Sequence, residues 1–176
     1  MGKNTLIFLV AVLFILYSLF GNKFYFPWEK KIIKKEFKEL IAQSNSGALS
    51  CQNSQKCLFV YIAPWCGACK QFLSKLFPHI LPIIEKYHQK KMAGLEIIIG
   101  MDQKEKIEAM AKEYKMEVYH EDSSKKYQNM FHIKAVPTFI AVDSKGNIIK
   151  KQEGFGARGD TLEDVANNFL NDLLNL

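Results

Sequence analysis

The run Cys57-Leu58-Phe59-Val60-Tyr61-Ile62-Ala63 leads through Pro64 into Trp65-Cys66-Gly67-Ala68-Cys69 and then Lys70-Gln71-Phe72-Leu73-Ser74-Lys75-Leu76-Phe77. The first stretch, apolar and rich in aromatic and β-branched residues, predicts a buried strand. Pro64 ends it. The last stretch places apolar side chains at 72, 73, 76 and 77, the spacing of one helix face. Two thiols are thereby pinned between a strand end and a helix start, and the core must be built around that unit.

Position gives the pair its chemistry. At a helix start, unpaired backbone N–H groups and the positive end of the helix dipole favour an anion, and a thiolate is one. A free cysteine with a pKa near 8.5 is only about 3% ionised at pH 7, whereas one shifted to roughly 6 is about 90% ionised. Cys66, the more N-terminal and more exposed thiol, is the expected nucleophile. Cys69, one helical turn inward, is placed to resolve a mixed disulfide by intramolecular attack. A structural disulfide or half of a zinc site is the alternative, disfavoured because no second Cys-x-x-Cys or His pair stands at zinc spacing.

The 176 residues, 48% of them hydrophobic, support one core plus an anchor. Thr5 to Phe20 is almost wholly apolar over sixteen residues, and Gly21, Phe24-Tyr25-Phe26 and Trp28 extend it into an interface. Bulky residues in Ser18-Leu19-Phe20 and Leu19-Phe20-Gly21 oppose signal cleavage, so residues 1–27 are expected as an uncleaved membrane anchor rather than a removed signal segment. Lys23, Lys30, Lys31, Lys34 and Lys35 follow the segment and only Lys3 precedes it, which by charge alone would hold the domain in the cytoplasm. The short N-terminal tail and the need of a redox pair to work outside the reducing cytosol favour the extracytoplasmic, periplasmic side, which is preferred. The net charge of +6 is carried almost entirely by lysine, with Arg158 the sole arginine, so a nucleic-acid partner is not expected.

Residues 28–45 read as an amphipathic linking helix with apolar positions 28, 32, 33, 37, 40 and 41, and residues 46–176 as the folded domain. Pro78 and Pro82 should kink or divide the helix after Cys69. Leu95 to Gly100 reads as a second central strand, followed by a helix from Asp102 and Glu105 to about Lys115. Glu117 to His120 forms a weak strand, and Ser123 caps a short helix to Phe131. Thr138-Phe139-Ile140-Ala141-Val142 and Asn147-Ile148-Ile149-Lys150-Lys151 form a hairpin, and Asp160 with Glu163 opens a final helix. Strands alternating with helices before a hairpin predict an α/β fold with a mixed sheet covered on both faces.

Together with Val136-Pro137-Thr138-Phe139 ahead of the hairpin, the strand–Trp65-Cys66-Gly67-Ala68-Cys69–helix unit resembles the thioredoxin superfamily. The anchor and the short strand and helix before Pro137 are similar to its membrane-tethered TlpA/ResA-like branch. The resemblance covers roughly residue 44 to the C-terminus. It implies a thioredoxin-like mixed sheet flanked by helices, preceded by a transmembrane helix, and a protein thiol–disulfide oxidoreductase. Cys66 and Cys69 would be catalytic, Trp65, Gly67 and Ala68 would support them, and a cis Val136–Pro137 bond would dock a substrate peptide. No cofactor beyond the redox-active disulfide is implied; the partners are protein thiols or disulfides and a redox partner protein.

Two departures limit what the resemblance carries. Val60 stands where thioredoxins hold a buried aspartate, with Glu96, Asp102 or water as candidate replacements. Gly67-Ala68 lacks the proline of reducing thioredoxins and the glutamate of some tethered reductases, which leaves reduction, oxidation and isomerisation open. Cys51 and Cys57 have three readings: a structural disulfide closing a small loop, two reduced thiols, or a relay to Cys66 and Cys69. The competing function is a copper or soft-metal carrier using the thiol pair with His132, although His132 reads more readily as a helix end. His79, His88 and His120 are expected on surfaces.

Overall fold

The computed structural model describes residues 27–43, 49–156 and 159–174. The apolar segment expected as an anchor lies outside the described residues. Among the described residues, no helix is long and apolar enough to cross a membrane. The chain divides into two compact units, residues 1–32 and 33–176. The second unit carries the sheet.

The elements run α1 (Pro27–Gln43), β1 (Lys56–Ile62), α2 (Gly67–Gln71), a π-helical turn (Phe72–Leu76), α3 (Phe77–Gln89), β2 (Ala93–Gly100), α4 (Lys104–Glu113), β3 (His120–Asp122), α5 (Lys126–Met130), β4 (Thr138–Asp143), β5 (Ile148–Glu153) and α6 (Leu162–Leu174). Among the described residues, five strands form one sheet in the order β3-β2-β1-β4-β5. β1, β2 and β3 are parallel, while β4 runs antiparallel to β1 and β5 antiparallel to β4.

This order explains which face each helix covers. The crossovers β1 to β2 and β2 to β3 step in the same direction, and right-handed crossovers then place both intervening helices on one face. Ile80 and Ile84 of α3 and Ile107, Met110 and Ala111 of α4 accordingly join one buried cluster with Leu58, Val60 and Ile62 of β1 and with Cys66 and Cys69. α6 closes that face, its Phe169 ring edge-on to Phe139 at 4.7 Å. The alternate residues Cys57, Phe59 and Tyr61 point to the opposite face. There Phe37 of α1 packs 5.0 Å from the Phe59 ring and stacks on Phe131 at 4.1 Å. The helix expected as a link therefore also buries Ile33, Phe37 and Leu40 in the core.

Several local expectations shift. Pro78 has no N–H to offer the Ser74 carbonyl, and the helix after Cys69 is divided there by the π-helical turn, with Pro82 retained inside α3. β3 lies at His120–Asp122 instead of Glu117–His120, because only its last residues reach the register Ile98–His120 to Gly100–Asp122. Ser123 does not cap α5: Asp122 accepts from the N–H groups of Tyr127 and Gln128 at 3.0 and 2.9 Å. Asp102 is spent on the N–H of Gln103 at 2.9 Å and on Lys106, so α4 begins without a side-chain cap. α6 is opened by Thr161, which exchanges hydrogen bonds with Asp164, and not by Asp160.

Candidate active site

β1 delivers the chain to the site and α2 takes it away. Past Pro64, the N–H of Cys66 donates to the Ala63 carbonyl at 3.1 Å, turning the backbone into the helix. Cys66 is the N-cap of α2 with extended backbone angles, and its Sγ accepts the Cys69 N–H at 3.0 Å. A sulfur here receives a backbone donor that a serine or aspartate cap would otherwise use, so negative charge on Cys66 is favoured.

Cys66 and Cys69 are joined as a disulfide across a Cα–Cα distance of 5.2 Å. Cys66 is 4% exposed and Cys69 fully buried, so Cys66 is the more open of the two by a narrow margin. Gly67 and Ala68 are exposed beside it. Trp65, 62% exposed, donates its indole Nε1–H to the Met101 carbonyl at 3.0 Å. A cleft of about 300 Å³ opens next to it, lined by Pro64, Lys70, Lys106 and Met110.

The far loop completes the site. The Val136–Pro137 peptide bond is cis, and the Val136 carbonyl oxygen lies 3.4 Å from Cys66 Sγ. In the disulfide this is a contact without a proton; a Cys66 thiol can donate across it. The structure thus brings Trp65, Cys66, Cys69 and Val136–Pro137 together from two segments seventy residues apart in sequence.

The candidate proton acceptors are placed elsewhere. Val60 lines the apolar cluster that holds Cys69. Glu96 is buried but pairs in register with Phe59, on the opposite face, where it accepts from the Cys51 N–H at 3.0 Å and meets His120 Nε2 at 3.2 Å. Asp102 is engaged with Gln103 and Lys106 at the start of α4.

Cys51 and Cys57 form a second disulfide, both residues 1% exposed. Cys57 is at the opening end of β1 and on its other face, about 16 Å along the strand from Ile62 at about 3.3 Å per residue. Direct thiol relay between the two pairs is out of reach in this arrangement. His79 is exposed as expected, whereas His88 and His120 are half-buried, His88 Nε2 lying 3.0 Å from the Ser50 carbonyl. His132 sits in a left-handed turn after α5, its carbonyl accepting from Lys151 at 2.7 Å. Among the described residues, no three His, Cys, Asp or Glu side chains gather in a group that could hold a metal ion. Met101 was not visible as a site residue in the sequence, because its contribution is a backbone carbonyl.

A sheet of this order with a Cys-x-x-Cys at the N-terminus of its first crossover helix, facing a cis-proline loop, defines a thioredoxin-type redox fold. The family model described as thioredoxin-like matches residues 53–148, and the chain belongs to that family. No curated protein matches the sequence. Among solved structures, the exposed lipoprotein thioredoxin of Streptococcus pneumoniae is 19% identical, with a TM-score of 0.54, covering 73% of this chain and 90% of its own. A thioredoxin-like protein solved in its oxidised form is 16% identical, with a TM-score of 0.51, over 74% of this chain and 85% of its own. StoA from Bacillus subtilis, at 19% identity and a TM-score of 0.47, covers 67% of this chain and 84% of its own. At these identities the first two likenesses, with TM-scores of 0.54 and 0.51, show the fold alone.

Proposed function

We propose that the protein is a membrane-anchored thiol–disulfide oxidoreductase that exchanges disulfides with cysteines of other proteins. The observation that carries this reading is the Cys66 sulfur, capped by the Cys69 N–H at 3.0 Å and facing the Val136 carbonyl at 3.4 Å. A thiolate at Cys66 attacks a client disulfide, forming the Cys66–client bond and releasing one client thiolate, which takes a proton from solvent. Cys69, deprotonated, then attacks Cys66 Sγ, closing the Cys66–Cys69 disulfide and releasing the second client thiolate. The reverse sequence donates the disulfide to a client dithiol. Trp65 flanks the reacting sulfur and Val136–Pro137 offers a strand-like edge for the client backbone. The redox-active disulfide is the only redox group required, and a redox partner protein resets it.

Residues 1–27 serve as the anchor and place the domain on the extracytoplasmic side. Two disulfides suit an oxidising compartment, and the pneumococcal neighbour is an exposed lipoprotein. Insulin reduction and reactivation of scrambled ribonuclease test the activity. Turnover lost in Cys66→Ala supports the proposal, and full turnover in that variant refutes it. Equilibration of the Cys66–Cys69 pair with glutathione assigns direction, since about 30 mV is tenfold in the equilibrium constant.

A further inference from the structure

Thr138 is paired with Tyr61 of β1 on one side and with Glu153 of β5 on the other, so the three stand in one row of the sheet. The chain therefore leaves β1 toward Cys66, enters β4 from Pro137 and leaves β5 toward Gly154 and Phe155 at the same end. At that end Trp65 is held on the β2 side by the Met101 carbonyl at 3.0 Å, and Phe155 emerges on the β5 side. Two exposed aromatic side chains thus bracket the Cys66 sulfur and the cis-proline loop.

Phe155 is fixed by its neighbours. Gly154, with φ of 77°, has the left-handed backbone that favours glycine, and its N–H donates to the Pro137 carbonyl at 2.7 Å, which ties the turn to the cis-proline loop. The Phe155 ring then lies 6.1 Å from that of Phe72 and edge-on to Phe169 at 5.6 Å. Both partners belong to the buried cluster that holds Cys66 and Cys69. Phe155 is nevertheless 40% exposed, with one side on the core and the other bare.

The loop itself offers a client little backbone to hold. Pro137 has no N–H and its carbonyl is taken by Gly154, while the Ala135 carbonyl accepts from the Thr138 hydroxyl. Val136, half-buried and with its carbonyl toward Cys66 Sγ, is the residue left facing a docked strand, so further grip must come from side chains beside it. The cleft on the Trp65 side carries the charged groups of Lys70, Asp102, Lys106 and Glu113. On the other side stands the bare face of Phe155.

We infer that Phe155 is a specificity-determining residue, forming an apolar subsite beside the cis-proline loop that selects client proteins with a large apolar side chain close to the exchanging cysteine. The inference rests on the oxidoreductase reading above. Selection comes from apolar surface removed from water on both partners, and a leucine in the client gains about tenfold over a serine.

The test gives the full chain, reduced, peptides whose single cysteine is blocked as a mixed disulfide with glutathione and which carry leucine or serine at one position beside it. In the parent, leucine should raise the second-order rate constant of exchange about tenfold at one flanking position. The ratio of leucine to serine peptide should fall to about one in Phe155→Ala and be largely kept in Phe155→Leu, which preserves an apolar surface. A purely structural role for the ring would lower both peptides alike and leave the ratio unmoved. A parent indifferent to leucine at every flanking position overturns the inference, as does a Phe155→Ala chain that keeps the preference. If the parent exchanges with no peptide, the oxidoreductase reading fails, and docking is decided by fluorescence anisotropy of labelled peptides with serine in place of cysteine. Tighter binding of the leucine peptide that is lost in Phe155→Ala then supports the subsite, and equal binding of the two peptides overturns it.

Discussion

The two disulfides span nearly equal distances, 5.3 Å between the Cα atoms of Cys51 and Cys57 and 5.2 Å between those of Cys66 and Cys69. Their surroundings are opposites. The first is sealed: Cys51 is tied through its N–H to Glu96, Leu49 accepts from Leu95 at 2.8 Å, and Gly94 lacks a Cβ because one would lie 2.7 Å from Cys51 Cα. The second caps a helix with its outer sulfur and is flanked by the exposed Trp65, Gly67 and Ala68. The reactivity proposed for the second pair rests on the backbone donor to Cys66 Sγ and on the exposed residues beside it, not on the span of the bridge.

The largest effect should come from exchanging the two roles. Cys66→Ala is expected to lower insulin reduction by about a thousandfold or more, the scale of losing a covalent nucleophile. The Cys51→Ala/Cys57→Ala double variant should stay within about twofold of the parent, since side reactions of a sealed bridge contribute nothing to turnover. Equal losses in both would erase the distinction between the bridges.

Next comes the wall behind Cys69. Cys69 sits in an apolar cluster with Val60, and both buried carboxylates among the described residues, Glu96 and Asp122, pair on the other side of the sheet. Such surroundings oppose formation of the resolving thiolate. Val60→Asp should therefore speed release of a preformed Cys66–client mixed disulfide at pH 7 by about tenfold, through general-base help. It should also cost about 3 kcal/mol in denaturant unfolding, the burden of a buried carboxyl. An unchanged release rate would mean that deprotonation of Cys69 does not limit resolution.

Smaller still is the contribution of the sealed bridge to stability. The loop between Cys51 and Cys57, with a sequence separation of 6, corresponds to about 2 kcal/mol of lost chain entropy in the unfolded state. For a unit of this size the Cys51→Ala/Cys57→Ala variant should melt about 5 °C lower by calorimetry. No change in Tm would make the bridge dispensable for the fold as well as for exchange.

How much of this was legible beforehand depends on whether the information is local. The run from Cys57 to Phe77 announces its strand and helix by periodicity, and Pro137 ahead of a hairpin could be matched by motif. Which face Glu96 joins could not be read, because it follows from the pairing of Phe59 with Glu96 across two strands. Ser123, Asp102 and Asp160 each satisfied a capping pattern, yet Asp122, an uncapped start and Thr161 took those places. Each of the three neighbourhoods offers several acceptors within a turn, and tertiary contacts choose among them. The hydrogen bond of Tyr61 to Asp122 left no motif, since the two residues meet only once β1, β2 and β3 lie side by side.

The smallest effect sharpens the comparison at its open end. Asp102 adjoins Met101, and its carboxyl is held below the usual range first by the Gln103 N–H at 2.9 Å, against partial desolvation, and then by Lys106 at 3.2 Å. A carboxyl with a depressed folded pKa adds stability that is present above its unfolded pKa, near 4, and is lost as pH falls through the lower folded value. Lys106 is itself largely exposed, so the gain is small. Asp102→Asn should unfold slightly more easily than the parent at pH 6, and the difference should shrink as pH falls from the unfolded value near 4 through the lowered folded one. The sealed bridge has no part in this, so the same comparison in the Cys51→Ala/Cys57→Ala background should give the same pH-dependent difference. A difference that does not shrink as pH falls below about 4 would mean that Asp102 acts through packing and not through its charge.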